Sequence, residues 1–297
     1  MTRAATAADW GLLGVLALIW GTAFLFTKIA VTTIPPMTVA AGRLTIAALV
    51  LVAAAAAAGE RVPRDRGRWT SFVAMAIVGN AAPFFLISWG QVVVDSAVAG
   101  VLMAAMPLVT IVLAHFFVES EPLRGVTLVG FTMGFAGIVV LIGPSVLGRV
   151  GQNEVVALRQ VAILLGAICY ACNAILARRL ERTPPLVVAA ATMTLAAAIT
   201  LPIALATERP WTRTLSPGSL AAVVHLGLVA TALAMTLFYR AIASAGATFL
   251  SLANYLIPIV AVIAGIAILG EEPRWNLYAA LVLVLGGIGI ERAGNRA

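Results

Sequence analysis

Seven polar or amphipathic side chains stand inside long apolar runs: Trp20, Asn80, Tyr170, Asn173, Thr231, Asn254 and Tyr255. An amide hydrogen-bonds an amino or a carboxyl group, and an indole or phenol ring covers an apolar side chain. Together they suit a small amphipathic solute. In such runs a polar group is costly unless it finds a partner or lines a wet cavity. Taken singly, each is accounted for by an interhelical hydrogen bond worth under about 2 kcal/mol. The set favours a cavity, because the groups recur at one depth in both halves of the chain.

Three prolines interrupt the same runs. Pro83, Pro107 and Pro258 have no N–H to donate, which frees the carbonyls of Gly79, Met103 and Asn254. Those carbonyls can accept from a substrate ammonium, or the prolines mark kinks that let helices bend during gating; kinks are the expectation. Arg43 is the one charge well inside a run, seven residues past Pro36 and so about 10 Å deep at 1.5 Å per residue. It can snorkel outward, pair with carbonyls or pair with a substrate carboxylate, and a structural pairing is the favoured expectation. His115 is expected to face headgroups and His225 to pack.

What is missing also constrains the chemistry. Asp9, Asp95, Glu119, Glu121, Glu271, Glu272 and Glu291 fall at the ends of runs, and the other acids lie between runs. No carboxylate is left at mid-depth for a proton or sodium relay. No G-x-x-x-x-G-K-[ST], H-E-x-x-H or G-x-S-x-G occurs, so an enzyme reading has no chemistry to stand on and no cofactor is expected. Cys169 and Cys172 form C-x-x-C within an apolar run. Zinc normally takes four ligands and burial disfavours a thiolate, so both are expected to be inert packing residues rather than a metal site.

The elements that position these residues follow from composition. The chain is 62% hydrophobic and 10% charged, with a mean hydropathy of +1.06, against roughly 25% charged for a soluble domain. Such a chain cannot cover a water-exposed surface, so the bilayer must be its solvent. One span needs about 20 residues. The 297 residues divide into ten apolar runs near 9–31, 36–58, 67–89, 94–118, 122–143, 158–180, 184–206, 216–239, 244–269 and 273–292. The expected fold is therefore all-α and integral to the membrane. Trp10–Val31 is long enough to span and lacks an A-x-A exit, so it is expected to remain rather than be cleaved. The basic excess, 19 against 12, is no nucleic-acid footprint, because 18 of the 19 are Arg and no basic tail exists.

Charge sets the expected orientation. A cytoplasmic N-terminus puts 12 basic residues inside: Arg3, Arg61, Arg64, Arg66, Arg68, Arg124, Arg178, Arg179, Arg182, Arg240, Arg292 and Arg296. Outside it leaves six, namely Lys28, Arg149, Arg159, Arg209, Arg213 and Arg274. Both termini are thus expected in the cytoplasm of a bacterial inner membrane. Trp10 and Trp69 fall at one interface and Trp89, Trp211 and Trp275 at the other, leaving Trp20 away from both.

The chain also repeats. Pro107 aligns with Pro258 and Glu121-Pro122 with Glu272-Pro273 at an offset of 151. Trp20 aligns with Tyr170, Lys28 with Arg178 and Pro35 with Pro185 at an offset of 150. The expected units are residues 1–146 and 147–297, five helices each. Five is odd, so the second copy must insert upside down, as in transporters that expose a midplane site alternately to either side. Gly130, Gly134 and Gly137 in the fifth run, and Gly286, Gly287 and Gly289 in the tenth, permit close helix approach and mark both runs as scaffold.

These features resemble the EamA-type branch of the drug/metabolite transporter superfamily over nearly the whole chain. The resemblance rests on Trp20-Gly21, Pro35-Pro36 and Arg43, and on Pro107…Glu121 and Pro258…Glu272, each followed by a glycine-rich run. It implies helices 1, 3, 4, 6, 8 and 9 around a central cavity, a small-molecule substrate and contact with membrane lipid. It also implies export of amino acids or similar metabolites, with aromatic amino-acid exporters as the nearest subgroup. Two departures stand out: Glu119-Ser120 replaces the glycine-led form seen at Gly270, and Met193 stands at the counterpart of Arg43. A passive channel, an exporter of another metabolite or drug, and a membrane sensor are the competing expectations. The oligomeric state is not readable, and a monomer suffices.

Overall fold

The computed structural model describes residues 6–60, 63, 65–117, 125–147, 153–177, 180, 183–250 and 252–294. Arg3, Arg61, Arg64, Arg124, Arg149, Arg178, Arg179, Arg182 and Arg296 of the charge count lie outside the described residues, as do Glu119, Ser120, Glu121 and Pro122 of the first signature.

Apolar runs of bilayer length satisfy their backbone internally as helices, and ten result among the described residues. They are α1 (Ala7–Ala30), α2 (Pro36–Ala57), α3 (Arg66–Gln91), α4 (Ser96–Phe117), α5 (Gly125–Leu147), α6 (Asn153–Ala177), α7 (Pro185–Glu208), α8 (Pro217–Ile242), α9 (Ala253–Leu269) and α10 (Trp275–Gly294). Seven are long and apolar enough to cross a membrane, and three shorter apolar stretches lie in α5, α9 and α10. No strand occurs among the described residues.

The ninth span departs from the expected 244–269. Helical structure continues from α8 to Ala245, Gly246 ends it at φ 83°, one turn follows at Ala247–Leu250, and α9 begins at Ala253. Glycine adopts such a φ without a Cβ penalty. Asn254 consequently stands in the first turn of α9 rather than near the middle of a span.

α5 lies against α10, α2 against α7, α1 against α8 and α9, and α6 against α3 and α4. Exchanging the two five-helix copies maps these pairs onto one another. Small residues set the closeness: a Cβ at Gly287 would overlap the Gly130 carbonyl, and one at Gly137 would come 2.9 Å from Val284 Cγ2. The α2–α7 seam is built on Ala40, Ala47, Ala189, Ala190 and Ala196, with Leu44 and Met193 between them. In lipid, such packing contacts replace the hydrophobic effect as the force between helices.

Several helices are broken. α3 and α8 each contain a π-turn, Ile77–Ala81 and Leu228–Leu233, starting 151 residues apart. A π-turn inserts one residue and leaves a carbonyl without its α-helical partner. Both copies repair this the same way: Asn80 Nδ2 donates to Met75 O at 3.1 Å, and Thr231 Oγ1 donates to Leu226 O at 2.8 Å, five residues back. Pro83 stands two residues after the end of the first π-turn. α4 is interrupted at Ala104-Ala105, and Pro107 is the second residue of the segment that follows, Met106–Phe117, where its missing N–H is not needed. Of the three prolines, Pro258 alone lies beyond the first turn of its helical segment.

At the end where α2, α4, α8 and α10 begin, helix termini are capped across the copies. Pro35 offers α2 no side-chain cap, and Pro36 has no N–H. The next donors, Met37 N and Thr38 N, go to the Glu208 carboxylate of α7 at 3.0 and 2.7 Å, joined by Thr38 Oγ1 at 2.7 Å. Asp95 makes no capping bond to α4. Instead Ser96 N and Ala97 N donate to Glu271 at 2.7 and 2.9 Å. Gly270, left-handed at φ 66°, turns the chain toward α4 after α9 ends. Gly265 leaves room, because a Cβ there would overlap the Glu271 carboxylate. Thr33 Oγ1 accepts from Ser216 N at 3.1 Å, and Ser219 Oγ donates to Ile29 O at 2.9 Å, adding α1 and α8 to the same seal.

Candidate functional site

Arg43 lies two turns into α2, where that helix runs close to α8. The approach rests on two glycines: a Cβ at Gly42 would come 2.8 Å from Val223 Cγ1, and one at Gly227 would come 2.6 Å from Ile46 Cβ. Arg43 Nε thereby reaches the α8 π-turn and donates to Thr231 Oγ1 at 2.8 Å. The hydroxyl can accept because its own proton is committed to Leu226 O. On the other side, the guanidinium carbon stands 3.8 Å from the centroid of Phe84 on α3, and Phe84 meets Tyr170 of α6 edge-on at 6.3 Å. Two helices of each copy therefore converge on one cation.

Among the described residues no carboxylate pairs with Arg43. A guanidinium carries five N–H donors in a fixed fork, and the Thr231 bond uses the Nε donor, leaving the outer fork. Nearby on α8, His225 stacks on Phe26 of α1 with centroids 3.8 Å apart, and its buried Nε2 has no hydrogen-bond partner. A planar carboxylate matches the free edge of the fork with two parallel bonds, and the surrounding rings offer apolar cover.

Tyr170, Thr231 and Arg43 are thus brought together. Asn80 closes the α3 π-turn, and Asn173, one turn from Tyr170, lies against Gly79 of that turn, where a Cβ would overlap its amide. The Oδ1 of Asn173 is buried without a partner. Trp20 packs on Phe238 at 5.5 Å. Tyr255 donates its hydroxyl to Ile288 O at 2.9 Å, which ties α9 to α10. Among the described residues, neither Trp20 nor Asn254 is in ring or hydrogen-bond contact with the Arg43 group.

Sequence reasoning passed over Phe84, the His225–Phe26 stack and the capping roles of Glu208 and Glu271. One signal was available: Asn80 and Thr231 stand at the same 151-residue offset that aligns Pro107 with Pro258.

Residues 9–143 and 159–290 each match the EamA-like transporter family. A probable terminal-alkyne amino-acid exporter of Streptantibioticus cattleyicolor is 27% identical over 284 residues, covering 95% of this chain and 91% of that protein. The uncharacterized inner membrane transporter YedA of Escherichia coli is 28% identical over 289 residues, covering 96% and 91%. A solved crystal structure at 22% identity superposes with a TM-score of 0.70 over 99% of this chain and 100% of its own, and so shares the fold. One match in each half accounts for the symmetric helix pairing. The chain, a multi-pass membrane protein, belongs to the EamA-like transporter family.

Proposed function

We propose that this protein exports amino acids or closely similar metabolites, aromatic ones included, through a cavity between the copies that opens alternately to either side. The observation that carries the reading is the Arg43 fork, uncommitted and ringed by Phe84, Tyr170 and the α8 π-turn. A charge in the bilayer interior without a protein counter-ion marks a substrate pathway. A guanidinium suits the carboxylate, and the aromatic rings suit an apolar side chain. The Streptantibioticus relative, a probable terminal-alkyne amino-acid exporter, supports the same class.

Alternating access, rather than a passive channel, is favoured by the seal of Glu208, Glu271, Thr33 and Ser219 at one end of the bundle. With both termini cytoplasmic, that end faces the periplasm. Because no carboxylate stands at depth, the substrate gradient itself drives export, with modest pH dependence. Proteoliposomes offered labelled L-phenylalanine and a panel of other amino acids should show saturable flux and exchange. Uptake of none of them would refute the substrate class, and accumulation driven by an imposed proton gradient would refute the energetics. Labelling of a cysteine placed at Glu60 from the periplasmic side only would reverse the orientation.

A further inference from the structure

At the sealed end, between α4, α5, α6 and α10, lies a cavity of about 300 Å³ that the transport reading does not use. Its polar lining is Asp95, Gln160, Glu271, Glu272, Arg274 and Asn276. Gln160 is 5% exposed, and its Oε1 accepts no hydrogen bond. A buried acceptor in that condition costs free energy unless something donates to it. The Glu271 carboxylate is committed to α4, and Asp95 sits 3.8 Å from Lys28. Glu272 and Arg274 form no ion pair among the described residues. Among the described residues the cavity therefore presents an unpartnered acceptor and negative charge beside a guanidinium that feels the Asp95 charge but closes no ion pair with it.

That complement selects a particular chemistry. A metal ion is not favoured, since among the described residues no three His, Cys, Asp or Glu side chains are grouped to hold one. Several acceptors around a small space ask for a cation with more than one N–H. Arg274 asks for an anion on the same molecule. We propose that this cavity binds a zwitterion carrying a primary ammonium, which donates to Gln160 Oε1 and the Glu272 carboxylate while its anionic group meets Arg274. A free amino acid outside the cell and the headgroup of phosphatidylethanolamine both present this chemistry.

A trimethylated ammonium keeps the charge and loses every N–H, so it isolates the proposed contact. In one arm, the full chain in nanodiscs is assayed by native mass spectrometry for retained dioleoylphosphatidylethanolamine against dioleoylphosphatidylcholine. In the other, the Arg43→Leu protein in detergent is assayed for binding of labelled L-alanine against its trimethyl betaine, so that the site between α2 and α8 does not contribute. The primary ammonium should be preferred about tenfold in at least one arm, the size of one hydrogen bond to a charged group. The arm in which it appears names the source. Gln160→Leu and Glu272→Gln should each cut the preference about threefold or more, and the exposed Glu272 position keeps the test usable if Gln160→Leu fails to fold. No preference in either arm, or a preference that both variants keep, overturns the site.

Discussion

Arg43→Leu separates a substrate anchor from a structural arginine. The substitution removes the 2.8 Å bond to Thr231 and the stacking on Phe84. A hydrogen bond from a charged donor contributes about 1.5–3 kcal/mol, and an arginine over a ring contributes about 0.5–2 kcal/mol. Against that loss, the fold no longer has to desolvate a cation with no counter-ion, a penalty of several kcal/mol. The terms nearly cancel, so the variant should melt within a few degrees of the parent. Binding has no such cancellation. Losing a bidentate contact to a carboxylate costs about 3 kcal/mol, near 150-fold in affinity. Counterflow in proteoliposomes, with L-phenylalanine and phenethylamine as competitors, reads the difference. Arg43→Leu should abolish inhibition by the amino acid and spare what inhibition the amine produces. Unchanged competition by L-phenylalanine would sink the anchor. A collapse of the melting temperature with flux intact would make Arg43 a structural residue.

Glu208→Ala strips three bonds from the start of α2 and should weaken that joint by about 2 kcal/mol. The readout is faster labelling of a cysteine placed at Thr33 in protein lacking Cys169 and Cys172, and an unchanged rate would refute the cap. Gly265→Ala drives a methyl into the Glu271 carboxylate, so combining it with Glu271→Ala should cost less than the sum of the two single changes; additive losses in melting temperature would disprove the contact. Asp95 lies outside the spans, and burial, then the neighbouring Glu271 charge, push its carboxyl above the ordinary value of 3.8. A raised carboxyl favours the folded state most below its unfolded value, and the benefit is lost as pH rises through the folded one. Asp95→Asn should therefore melt higher than the parent at neutral pH, with the gap closing on acidification; a gap that widens would contradict the direction.

Span number and helical class were legible because bilayer thickness imposes a length on apolar runs, whatever their packing. Repeat symmetry was legible in Pro107 and Pro258 for a related reason, since a residue without an N–H leaves a mark in both copies. Facing was not. α9 is apolar on every side, so nothing in its pattern says that Tyr255 turns toward α10 while its neighbours turn elsewhere. The break before Ala253 hung on Gly246 alone, and one glycine among many carries little weight. Glu271 and Glu272 are adjacent and chemically alike; which of them reaches α4 depends on the left-handed turn at Gly270. Arg43 announced itself by charge, but its partner Thr231 depends on the π-turn, and carbonyl pairing leaves no trace in residue type.

The two π-turns have a history to tell. An inserted residue rotates everything beyond it by about 100° around the helix axis, so gaining or losing one would swing half a span away from its neighbours. Such a change is hard to make twice, independently, at matching positions in segments that otherwise share few residues. The economical account is that the insertion was present in a single five-helix ancestor before its gene doubled. Each half carries the irregularity with its own chemistry, the amide at Asn80 in one answering to the hydroxyl at Thr231 in the other. The hydroxyl accepts from Arg43, whereas Met193 stands at the counterpart of Arg43 and offers Asn80 no such donor. Unlike side chains thus stand on a backbone irregularity that both halves share.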